Sequence, residues 1–169
     1  MRAAGEGDNS AMRQEVAVVV FLAVTVVEAF FNAYFRILVS ETQFREHEQR
    51  VLSDLDRRVP LALKVRNWIP LFFGRELDES EGLWFEFRRL RELRNSLMHF
   101  RSSHQTFSYG NVVIEGLADT TPYSSLSPES ATWAHGVAEG VLEEIFRLRG
   151  LTEEQVHASM HQWAARVPV

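Results

Sequence analysis

Val16 to Val27 reads VAVVVFLAVTVV, twelve residues without a charge, and no other stretch limits the possible folds as strongly. Taken alone, the run suits either a buried strand or a helix. The apolar pattern continues through Ala29, Phe30, Phe31, Tyr34, Phe35, Ile37 and Leu38, well past the length of an ordinary buried strand. Length therefore decides for a helix, over about 11–39. A helix that is apolar on nearly every side belongs at the centre of a bundle. A bilayer span needs about 20 apolar residues. Here Glu28 and Asn32 interrupt the continuation, Arg2 and Arg13 are mixed with Glu6, Asp8 and Glu15, and no small-residue cleavage site follows Val27. The run thus lacks the marks of a signal peptide. The expectation is a core helix and no membrane partner.

A core helix needs neighbours, and the remaining chain supplies them. Residues 1–10 are small and polar and read as a flexible N-terminus; residues 11–169 read as one domain. Ser40 and Gln43 have capping-box spacing and open a second helix at about 41–57. Pro60 starts a short segment, LALKVRNWI, closed by Pro70 and Gly74. Asp78 or Ser80 caps a helix at about 80–100, with Leu83, Trp84, Phe87, Leu90, Leu93 and Leu97 at core-facing spacings. Residues 101–127 form a long loop rich in Ser and Gly, with a short β excursion over about 106–114. Ser127 followed by Pro128 starts a further helix that Gly150 ends, and Thr152 opens the last one. The fold class is all-α, a bundle of about five helices.

Composition narrows the chemistry. Cysteine is absent, which removes disulfides, Cys-bound zinc and a thiol nucleophile; a cytoplasmic location is expected. Of 18 basic residues all but Lys64 are Arg, and the net charge is −5. An anionic partner would therefore need a local patch rather than the field of the whole molecule. Such a patch occurs between Trp84 and Arg101, where Arg88, Arg89, Arg91, Arg94 and Arg101 stand against only Glu86 and Glu92.

Within that patch the chain reads Leu93-Arg94-Asn95-Ser96-Leu97-Met98-His99. With 17 Arg and 6 His in 169 residues, about 0.6 bare Arg-x4-His matches are expected by chance, and the chain holds one. Its setting is more specific: a polar residue follows Arg94 at once, apolar residues flank it at 93 and 97, and the run closes an amphipathic helix. This resembles the signature of the HEPN superfamily, all-helical proteins with Arg, a polar residue, and His four to six residues after the Arg. The long first helix carrying Glu28 and Asn32, and the segment from Lys64 to Phe73 before Gly74, are similar to the family's arrangement. The resemblance covers about residues 11–148.

The resemblance implies a metal-independent endoribonuclease that needs no cofactor. It implies a two-fold homodimer with a composite cleft, RNA as substrate, and a toxin or phage-defence role with an antitoxin or other protein partner. Catalysis would fall to Arg94 and His99, with Asn95 orienting the imidazole or the phosphate. The residue types suit the task. RNA carries its own 2′-OH nucleophile, an imidazole moves protons near neutral pH, and a guanidinium holds two phosphate oxygens. Arg94 and His99 are about 140° apart on an ideal helix, so either the long Arg94 side chain reaches round, or the helix distorts near His99, or a partner subunit supplies one of the pair, which the family's dimer makes natural. Glu28 and Asn32 share a helix face and are candidate supports for Arg94, or a polar pair satisfied by a neighbouring helix. Arg88, Arg91, Arg101 and His104 are candidate RNA contacts. Some HEPN toxins carry a Tyr two residues after the motif His, and here that position is Arg101. The alternatives are a non-catalytic HEPN-like module binding RNA or protein, and a structural bundle in which the spacing is coincidence. His157 and His161 have zinc-like spacing without an evident third ligand, and the four Trp read as packing residues.

Overall fold

The computed structural model describes residues 6–98, 107–109, 112–114 and 121–164. The order is α1 (Glu6–Leu38), a 3-10 turn (Thr42–His47), α2 (Glu48–Asp56), α3 (Leu61–Phe73), α4 (Gly82–Met98), strands β1 (Phe107–Tyr109) and β2 (Val112–Ile114), one turn of helix α5 (Thr121–Ser124), α6 (Pro128–Leu148) and α7 (Glu153–Ala164). The all-α class holds. The β excursion is an antiparallel pair with Ser108 opposite Val113.

α1 is the spine. Val20, Val24, Val27, Phe31, Phe35 and Leu38 are buried along one side, against α4 and α6. Its aromatic residues join the other elements. Phe30 stacks on Tyr34 at 4.9 Å and meets Phe146 of α6 and Trp163 of α7 edge-on at 5.5 and 5.2 Å. Phe35 contacts Trp68 and Phe72 of α3 at 5.3 and 4.9 Å. Edge-to-face geometry adds to the large apolar area each ring removes from water. By length and composition the stretch Asn9–Leu38 is also apolar enough to cross a membrane; its buried side serves as the core of the bundle.

Several boundaries differ from the sequence reading. α1 already begins at Glu6, so residues 6–10 extend the helix instead of forming a flexible lead. The helix expected over 41–57 is broken into a 3-10 turn and α2, and Ser40 does not cap it: its hydroxyl donates back to the Ile37 carbonyl at 2.6 Å. The segment after Pro60 is a full helix that passes through Pro70. Pro60 stands just before its first turn, where a missing N–H costs little, and Gly74 ends it at φ +65°, a conformation favouring glycine. At α7, Thr152 and Gln155 cap reciprocally: the Thr152 N–H donates to Gln155 Oε1 at 2.9 Å, and the Gln155 N–H to Thr152 Oγ1 at 3.4 Å.

Candidate functional site

α4 carries the arginine patch, and its pattern decides which guanidinium groups are free. Arg91 is only 12% exposed and forms a 3.1 Å ion pair with Glu79, which also reaches Arg66 at 3.4 Å. Burial pushes the Arg91 guanidinium below its ordinary range, and the nearby Glu79 carboxylate opposes this. Arg88 pairs with Glu92 at 3.7 Å and lies over the Phe85 ring. Arg89 donates to both oxygens of Glu86 at 3.1 and 3.2 Å, and Trp133 Nε1 donates to the same carboxylate at 2.8 Å. Arg94 differs from all three. It follows buried Leu90 by four residues and buried Phe87 by seven, which puts it on the inward side of α4. It is half-buried, and it makes no ion pair or side-chain hydrogen bond with another described residue. Asn95 is exposed.

His99 follows directly on Met98, the last residue of α4, and lies outside the described residues, as do Arg101 and His104. The arrangement of Arg94 against His99 is therefore known from their sequence spacing alone.

A second arginine stands at the same end of the molecule. Arg13 on α1 precedes Val16 and Ala17 by three and four residues. Those two pack with Leu93 and Leu97 of α4 and with Leu126, so Arg13 lies toward the C-terminal end of α4. Its Nε is buried without a hydrogen-bond acceptor among the described residues, as are those of Arg88 and Arg91. Sequence reasoning passed over Arg13, although its place one turn before two inward-facing residues was a readable signal. α5 closes this corner: the Tyr123 hydroxyl donates to the Ser10 carbonyl at 3.2 Å.

Glu28 and Asn32 are drawn together, but by another partner. Lys64 of α3, 3% exposed, donates from Nζ to Asn32 Oδ1 at 2.7 Å and lies 3.9 Å from Glu28 Oε1. Burial lowers the pKa of its ammonium below the ordinary lysine value, while Glu28 and Asp54 act in the opposite sense. Both residues thus face Lys64 of the neighbouring helix α3. Asp54, also buried, accepts from Trp68 Nε1 at 3.0 Å and from Arg50 Nε at 3.2 Å. Lys64 and Asp54 were missed. The signal for Lys64 was its register: it shares a face with Leu61, Val65 and Trp68, all core residues.

The His157 and His161 rings are 4.6 Å apart, and no group of three or more His, Asp or Glu side chains is placed to hold a metal ion among the described residues. Comparison with protein-family models, curated protein sequences and solved structures gave no match.

Proposed function

We propose that the chain is a metal-independent endoribonuclease of the HEPN type, acting as a homodimer with a composite cleft, in a toxin or phage-defence setting with an antitoxin or similar protein partner. The observation that carries this reading is the state of Arg94. Three neighbouring arginines on α4 are held by carboxylates, and the one inside the Arg-x4-His spacing has no described counter-charge. A half-buried cation without a partner is costly, and a phosphate group would supply the missing charge. Arg13, half-buried at the same end and without an ion pair to another described residue, adds a second cation there.

In the proposed reaction the ribose 2′-OH attacks the adjacent phosphorus and gives up its proton. The P–O5′ bond breaks, and the leaving 5′-oxygen is protonated. The products are a 2′,3′-cyclic phosphate and a 5′-OH end. His99 of one subunit moves one of these protons, and Arg94 holds the non-bridging oxygens as charge builds on them.

The test is incubation of the purified protein with total RNA and tRNA in EDTA, beside His99→Ala and Arg94→Ala prepared identically. Cleavage by the parent alone, leaving 2′,3′-cyclic phosphate ends, is the expected result. Equal cleavage by all three would overturn the assignment of the site. If none cleaves but the parent binds RNA more tightly than Arg94→Ala, the chain is a binding module.

A further inference from the structure

The outer face of α1 carries an apolar stripe that the fold leaves open. Val18, Leu22, Val26 and Ile37 are 53, 56, 51 and 52% exposed, and Thr25, Ala29 and Ala33 are exposed between them. These positions recur at three- and four-residue intervals and fall within about 120° of one another on the helix. They point away from the buried side that packs on α4 and α6. Beside the stripe, Leu22 and Val26 form one wall of a groove of about 480 Å³, with Leu142, Met160 and Trp163 across it. A contiguous apolar surface of this kind is what an interaction site presents.

We infer that this face packs against the same face of a second copy of the chain, with the two α1 helices antiparallel about a two-fold axis near Thr25 and Val26. The sequence along the stripe is self-complementary in that register. Val18 falls opposite the partner's Ala33, and Leu22 opposite the partner's Ala29, so large residues meet small ones. Glu15 falls opposite the partner's Arg36. Both are exposed at opposite ends of the stripe, and neither forms an ion pair with another described residue of its own chain. An isologous interface makes each of these contacts twice, giving two ion pairs that flank an apolar centre. The stripe from Glu15 to Arg36 is about 32 Å long and a helix about 10 Å wide. That footprint is below the roughly 800 Å² per partner of a standard interface, so the walls of the groove must contribute and the dimer is dissociable. This contact is separate from the composite cleft, because α4 lies on the opposite side of α1.

The absence of cysteine makes disulfide trapping clean. Val18→Cys chains are mixed with Ala33→Cys chains and oxidised mildly. The expected product is the mixed disulfide, several-fold above either homodisulfide. Residues 18 and 33 are about 22 Å apart along one helix, too far for like positions to meet in the antiparallel register. Sedimentation velocity is expected to show a concentration-dependent association beyond the composite-cleft dimer, which Leu22→Glu and Ala33→Arg each reduce to that dimer, with helicity unchanged by circular dichroism. Arg36→Glu is expected to weaken it, and Glu15→Arg in the same chain to restore it. If Leu22→Glu and Ala33→Arg both fold and leave the association as it was, or if disulfides form without preference, the inference fails. It also fails if the parent is a monomer that floats with phosphatidylcholine vesicles, which would assign the face to lipid. A monomeric parent would also remove the composite cleft, whereas a parent that stays dimeric while the α1 variants change nothing overturns this inference alone and leaves the RNA cleavage test unaffected.

Discussion

The ammonium of Lys64 sits 2.7 Å from the side-chain oxygen of Asn32, and this bond ties the middle of α1 to α3 through two polar groups placed among apolar ones. Replacing both members of a buried polar pair by apolar residues is often neutral, but removing only one leaves its partner unpaired and is destabilising. Lys64→Met leaves Asn32 Oδ1 without its donor and is expected to cost about 1–3 kcal/mol. It should also alter the pH dependence. A lysine whose folded pKa is lowered binds fewer protons in the native state than in the unfolded chain, so stability rises with pH through that interval. The rise falls in the alkaline range just below the ordinary lysine value of about 10.4. Denaturant titrations of parent and Lys64→Met between about pH 8 and 10 should show the slope in the parent only. Identical slopes would mean Lys64 titrates normally.

Asp54 holds the other side of the same region, accepting from the indole of Trp68 and from Arg50. Trp68 is fully buried, so Asp54→Ala leaves its N–H without a partner. A buried donor left unpaired costs about 1–3 kcal/mol, and the expected loss for Asp54→Ala is about 2 kcal/mol. Asp54→Asn keeps an acceptor and should lose less. Urea melts of the two variants, together with Trp68→Phe, will rank them; equal losses for Asp54→Ala and Asp54→Asn would show that charge, rather than the acceptor, matters.

Thr152 and Gln155 fix the start of α7 through two reciprocal bonds. Thr152→Ala removes one of them and is expected to cost about 1 kcal/mol, the usual value of an N-cap. Because α7 carries Trp163 onto Phe30, hydrogen exchange should speed up first in the amides of α7. Unchanged exchange there would separate the cap from the docking of the helix.

Patterns carried by one element were readable in the chain, and relations between elements were not. The continuous apolar run of α1 and the Ser127-Pro128 start of α6 are local signals, and both are found where the sequence places them. The helix after Pro60 runs through Pro70 to Phe73, beyond the proline at which the sequence pattern closes the segment. A proline breaks a helix by removing one N–H and crowding the preceding turn, and with three residues left before Gly74 the packing of Phe72 against Phe35 and Phe44 outweighs that cost. At the candidate site, the charge of the α4 patch could be counted, but its pairing could not. Arg91 and Arg94 look alike in sequence, and only tertiary structure brings Glu79 to one of them. The partner of Asn32 was hidden for the same reason, since Lys64 lies 32 residues away and reaches it only once α3 has docked.

That contrast between Arg91 and Arg94 gives the sharpest test of the site. Arg91 is nearly buried and paired with Glu79, so Arg91→Ala leaves a partly buried carboxylate with Arg66 at 3.4 Å as its remaining described partner and should destabilise the fold by about 1–3 kcal/mol. Arg94 has no described carboxylate to abandon. Arg94→Ala is expected to fold with stability close to the parent and to lose RNA cleavage by at least two orders of magnitude, the scale seen when a group that stabilises transition-state charge is removed. Arg13→Ala should act in between, weakening RNA binding several-fold at constant stability. Thermal melts and cleavage rates measured on the three variants side by side separate these outcomes. A variant set in which Arg94→Ala unfolds and Arg91→Ala loses only activity would reverse the roles assigned to them, and move the anion site from the inward end of α4 to the face beside α3.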